Sequence, residues 1–152
     1  MAFDVDLTGR EKAAIPVDGI LKNFLMKRSV DFTVVANQVA SGKVCALFQV
    51  PAYVLVEEVF YDVQTAEANV TDIDIGSFTT AGVGVAATGF MEAKSLAALG
   101  LIRALSGKTY SRQDGTAGYF SQSPWVIGLT NDDADTIATA VVDFFAVCMN
   151  LV

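Results

Sequence analysis

The chain has 152 residues, enough for one domain with a hydrophobic core. Hydrophobic residues make up 53% and charged residues 18%, which excludes a disordered chain and leaves more apolar surface than one small domain hides, so an oligomer or a docked partner is expected. Ten bases against seventeen acids give a net charge of −7, and nucleic-acid phosphates repel such a chain.

Residues 1–28 read as an N-terminal arm. Thr8-Gly9 and Pro16 punctuate it, and it lacks the apolar segment of a signal peptide. Asp18 is placed to cap a short helix over GILKNFLMK, where Ile20, Leu21, Phe24 and Leu25 recur at helical spacing. The spacing leaves two alternatives open: a helix on its own core, or an arm that crosses to a neighbouring subunit. Five of the ten bases lie here: Arg10, Lys12, Lys22, Lys27 and Arg28.

Residues 29–152 read as the second unit. SVDFTVVAN alternates Val30, Phe32 and Val34 with polar residues, a half-buried strand. Residues 43–78 then hold three strands in succession. In the first, Val44, Ala46, Phe48 and Val50 share one face. Pro51, which has no backbone donor, ends it. In the second, from Tyr53 to about Thr65, Val54 and Val56 are out of phase with Val59, Tyr61 and Val63. A β-bulge at Glu57-Glu58 would bring both sets onto one core face. These two carboxylates point to opposite sides of a strand, which suits an edge or an intersubunit contact rather than an acid–base pair. In the third, Thr71, Ile73 and Ile75 face in while Asp72 and Asp74 face out. A solvated face that discourages edge pairing is favoured over a cation site.

Residues 79–89 read as a flexible glycine-rich loop. Gly82-x-Gly84-x-x-Ala87 has neither the strand before it nor the helix after it that a dinucleotide fingerprint needs. Gly107-Lys108-Thr109 lacks the first glycine of a phosphate loop. Residues 90–105 are rich in helix formers, with Leu96, Leu99 and Ile102 three apart, so they predict one short helix or an apolar excursion packed on a sheet. A polar loop covers 106–118. Strands follow at 119–122 and 124–130, then a turn, NDDAD, which lacks the glycine and glutamate of a calcium loop. Residues 136–151 form the last strand or pair of strands. Val141, Val142, Phe144, Phe145, Val147 and Met149 make that run apolar on both faces, as in a central strand or one with its second face at an interface. It is too short for a membrane span, and Asp143 and Asn150 interrupt it.

About eight short strands predict an all-β chain: an antiparallel β-sandwich, jelly-roll-like, with the N-terminal arm. Histidine is absent, so the usual triads and imidazole bases are out. Cys45 and Cys148 read as reduced, buried thiols, too few for a structural zinc site. No enzyme, metal or cofactor is expected.

The order LMKRSVDF, then ASGKVCALFQVPAYVLVEEVFYDVQTAEANVTDIDIG, is similar to small structural proteins of tailed bacteriophages. Gly89-Phe90, a late aromatic strand, Asp135-Thr136-Ile137 and an apolar C-terminal strand continue the resemblance over most of residues 25–152. The chain departs from the pattern at TTAGVGVAATGF, which lacks the acids usual there, so no ion or sugar role carries over to that loop. The resemblance implies a capsid decoration or cement protein, a homo-oligomer and specifically a trimer. It would sit on the major capsid protein at the virion surface after assembly in the host cytoplasm. Lys22, Phe24, Lys27, Arg28, Glu57 and Glu58 are the expected partner-binding residues, with neither nucleic acid nor membrane involved. Two alternatives remain: a tail or fibre module stacking a host glycan on Trp125, Tyr110 and Tyr119, and a head–tail connector component.

Overall fold

The computed structural model describes residues 5–6, 23–69, 72–103, 110 and 118–152. Among the described residues, nine strands form two facing sheets: β1 (Val5–Asp6), β2 (Asn23–Asp31), β3 (Val44–Val50), β4 (Val54–Thr65), β5 (Asp72–Thr79), β6 (Gly84–Ser95), β7 (Gly100–Arg103), β8 (Trp125–Asn131) and β9 (Val141–Asn150). The first sheet has the order β1-β3-β8-β5-β6 and the second β2-β9-β4-β7. All described pairings are antiparallel except the short β1–β3 contact. The protein is thus an all-β sandwich. Its core is built from the inward rows of both sheets, among them Val30, Phe48, Tyr61, Ile73, Ile127 and Phe144.

The bulge expected in β4 is present. Val56 pairs with Cys148 and Glu58 with Val147, so Glu57 is the additional residue. Val54, Val56, Val59, Tyr61 and Val63 all reach the core as a result. A second bulge was not expected. The register of β3 slips between Ala46 and Phe48. Cys45, Leu47, Phe48 and Val50 therefore join the main core, while Ala46 packs on the other side with Phe78 and Val126.

Three expectations are corrected. Phe24 and Leu25 lie in β2, not in a helix, because nine residues of β2 pair with β9 without a break. Strand pairing there starts at Asn23, ahead of the arm boundary drawn at residue 28. Residues 84–95 and 100–103 are strands, so the described part of 79–105 holds neither a long glycine loop nor a helix. Lys22, Gly107, Lys108 and Thr109 lie outside the described residues.

β6 is a strand because of what it covers. Gly76 of β5 and Gly128 of β8 pair directly and leave the outer side of the first sheet bare at its centre. Ser77 pairs with Ala86 and Ile75 with Met91, so Gly76 alone faces residues 87–90. That arch closes on the gap: a Cβ on Gly76 would lie 2.0 Å from the carbonyl oxygen of Ala86. The Phe78 ring fills the space over Gly128. With Val44, Ala46, Ala87 and Val126, it makes a second small core on the outer side.

Candidate interaction face

The outer side of the second sheet has a different composition. On β9, Val142, Phe144, Ala146 and Cys148 point into the core, which leaves Val141, Asp143, Phe145, Val147 and Met149 outside. A central strand with one solvated face ordinarily carries polar residues there. Here only Asp143 is polar. The register lays out the face in rows: Asn23, Met149 and Leu55; then Leu25, Val147 and Glu58; then Lys27, Phe145, Phe60 and Arg103; then Ser29, Asp143, Asp62 and Leu101. Leu25 is 52% exposed and Leu101 57%. Among the described residues, no strand or loop covers this face as β6 covers the other.

The charged side chains of the face lie flat on it. Phe60 and Phe145 stack with centroids 4.9 Å apart and planes 13° from parallel. The Lys27 ammonium sits 5.5 Å from the Phe145 centroid, and the Arg103 guanidinium 5.5 Å from that of Phe60. Arg103 donates through Nε and Nη2 to the two carboxylate oxygens of Glu58, at 2.6 and 2.7 Å. Hydrogen bonding by Glu58, then its charge, pushes the Arg103 pKa up. Lys27 pairs with Asp143 at 2.9 Å, and the Ser29 hydroxyl donates to the same carboxylate. Burial opposes the Asp143 charge, but Ser29 and Lys27 outweigh it and hold the carboxyl below its usual range.

The expected contact residues fall on both sides of the sheet. Lys27 points outward. Glu58 is on the outer face but buried beneath Arg103. Phe24 and Arg28 point inward, because the even-numbered residues of β2 face the core. Arg28 is buried: its Nε donates to the Leu47 carbonyl at 2.7 Å and its guanidinium lies 6.0 Å from the Phe48 centroid. Glu57 occupies the bulge and is half-buried. The apolar outer row, Leu25, Leu55, Val147 and Met149, was visible in sequence only as the two-faced C-terminal run.

Other candidate residues are used in holding the fold together. Trp125 is 2% exposed and packs edge-to-face with Tyr119 at 4.8 Å and parallel to Phe90 at 6.4 Å, so the aromatics considered for glycan stacking pack on each other. Tyr110 stands 4.9 Å from Tyr119 and meets the Ser77 hydroxyl at 2.9 Å. Asp74 is buried rather than solvated and accepts from the Ala93 N–H at 2.9 Å. Asn131 is fully buried; its amide donates to the carbonyls of Val39 and Asp135 at 2.8 and 2.7 Å. Both cysteines are buried free thiols, and burial, with Glu57 adding to it, pushes Cys148 up to about 12.

Sequence reading missed Glu67. It is buried, and its carboxylate accepts from the backbone N–H groups of Ala138, Thr139 and Ala140 at 3.0, 2.9 and 3.1 Å. No local pattern marks it, since its partners lie in a distant loop.

No protein-family model matches the chain, and no curated protein matches it. Two solved structures share its fold. One is a chain in the structure titled "Capsid of Ralstonia phage GP4", with a TM-score of 0.61 and 16% identity, covering 94% of this chain and 93% of that one. The other is a chain in the structure titled "Cyanophage Pam1 capsid asymmetric unit", with a TM-score of 0.57 and 12% identity, covering 94% of this chain and 96% of that one. The β-sandwich is therefore a fold that also occurs, over almost the full chain, in components of two phage capsids.

Proposed function

We propose that this protein is a structural component of a tailed-phage virion, specifically a decoration or cement protein that binds the outer surface of the major capsid lattice as a trimer. One observation carries the reading: the fold likeness to the two capsid chains runs over more than nine-tenths of each partner. The counterpart is thus an entire capsid component of about this length, not one domain of a larger chain.

Cementing needs no catalytic residue. It needs apolar area buried across subunit boundaries, worth roughly 25 cal/mol per Å² before the cost of association. It also needs many copies acting at once. The two-faced β9 suits that task, since its second apolar face adds little to the folding of a single copy. On this reading Lys22 and Glu57 are contacts with the major capsid protein, and Lys27, which lies on the apolar outer face, belongs to the contact between subunits. The site of action is the virion surface, with assembly in the host cytoplasm.

The test is co-sedimentation of the purified protein with expanded heads, lacking it, from the phage that encodes it. Binding should saturate at a fixed copy number per capsomer and raise the temperature at which heads release DNA. A protein that leaves such heads unbound, or occurs in a single ring at the portal, is not a cement protein.

A further inference from the structure

The outer face of the β2-β9-β4-β7 sheet has the chemistry of a contact between identical subunits. We propose that this face, centred on Leu25, Val147, Met149 and the Phe60–Phe145 stack, docks on a second copy of this chain. It gives the oligomer of the reading above its contact surface, and rests on that reading to that extent.

Charge argues for a second copy rather than an unlike partner. The chain carries −7, so two copies repel each other across most of their surfaces. On this face two cations, Lys27 and Arg103, stand among four carboxylates, Asp31, Glu58, Asp62 and Asp143. Four of the six are already paired within one subunit, Lys27 with Asp143 and Arg103 with Glu58. An approaching copy thus has no ion pair to break, and Asp31 and Asp62 lie toward the end of the face away from Leu25, Val147 and Met149. A partner recruited by electrostatic attraction would instead call for unpaired charge of one sign.

Shape and area agree. The cations lie along the aromatic rings and leave the face flat. Three strands of nine to twelve residues and the four-residue β7, spaced about 4.8 Å apart, give a footprint of about 550 Å². A stable contact covers roughly 800 Å² per partner, so the face and a modest rim suffice. On the other sheet, the β6 arch over Gly76 and the Phe78 cluster already occupy part of the outer side.

Leu25→Glu and Leu101→Glu place a carboxylate on the face at exposed positions where one subunit loses little. Leu99→Glu, exposed on the β6–β7 turn, is the control. Sedimentation velocity over a dilution series should show the wild type and Leu99→Glu associated. The two face variants should be shifted toward monomer by about tenfold or more in dissociation constant, as expected for a carboxylate buried unpaired in an apolar contact. Unchanged near-ultraviolet circular dichroism certifies the fold of each variant. A wild type that stays monomeric, or association untouched in both face variants, overturns the proposal. If association is untouched but head binding is lost, the face belongs to the shell contact: the self-docking inference fails and the cement reading stands. If the face variants dissociate while even the wild type ignores heads, self-docking stands and the cement reading fails.

Discussion

Glu67 and Thr139, 72 positions apart, are joined twice: the Thr139 backbone N–H donates to Oε2 at 2.9 Å and its hydroxyl to Oε1 at 2.8 Å. The Ala68 N–H donates to the Thr139 hydroxyl oxygen at 2.7 Å, so the connections β4–β5 and β8–β9 are clasped through one carboxylate. Charge-assisted bonds of this kind are about twice as strong as neutral ones.

Glu67→Gln should destabilise the protein by about 2 kcal/mol, since an amide oxygen replaces a charged acceptor and an NH₂ group meets backbone donors. Burial opposes the Glu67 charge, yet the donors from Thr139, Ala138 and Ala140 prevail and hold its pKa below the ordinary value. The stability it supplies is therefore complete above the ordinary carboxylate range and lost as pH falls through the lower folded value. Urea melts across acidic pH should show a shallower loss of stability in the variant than in the wild type. Equal slopes would remove Glu67 from the account.

Gly76→Ala tests the β6 arch. The methyl group would need the space of the Ala86 carbonyl, which is backbone and cannot rotate away. Overpacking costs about 1–3 kcal/mol, and here the loss should concentrate in β6. Hydrogen exchange should speed up in residues 84–95 while β9 stays protected. Uniform behaviour of both strands would mean that the arch is not a separable layer.

The Arg103–Glu58 pair is bidentate, but the Arg103 side chain is 43% exposed. Measured on the dissociated subunit, a double-mutant cycle with Arg103→Met and Glu58→Gln should give a coupling of about 0.2–1 kcal/mol. Added salt should reduce it. A coupling of several kcal/mol would mean that the pair is shielded from solvent, as it would be under a docked second copy.

Cys45 and Cys148 should resist a thiol reagent in the folded protein at neutral pH and react stoichiometrically once it unfolds. Cys148, pushed up to about 12, holds its proton when folded. Its contribution to stability is whole below the ordinary thiol value and declines as pH rises toward the folded one. Fast labelling of the native protein would show that the core opens locally.

The sequence revealed β4 better than its neighbours for a physical reason. Its two apolar sets change parity at Glu57-Glu58, and only an added residue restores them to one face. In β3, Cys45, Leu47 and Phe48 are all apolar, so either parity fits and the slip left no mark. In β2 the inward Arg28 interrupts what would be a clean row of Phe24, Met26 and Val30, and helical spacing took its place. β6 is a strand because Gly76 and Gly128 leave a gap on a sheet far from it in sequence, and local propensity cannot register that. The interaction face was legible only in part: β9 announced a second apolar face, but its neighbours Leu25, Leu55 and Phe60 are assembled by strand order alone.

The order of the strands also bears on how the chain reaches this state. Among the described strands, β5 and β6 are the only consecutive pair that share a ladder; each of the others is followed by a strand of the opposite sheet. β2 waits for β9, with Asp31 opposite Val141. Loop-closure entropy is spent before most pairings form, which places folding in the slow, millisecond-to-second class of sandwiches. During synthesis β2 and β4 of the four-stranded sheet are made well before β9, the strand that lies between them. Until then β2 and β4 have open edges, and association between unfinished chains competes with completion.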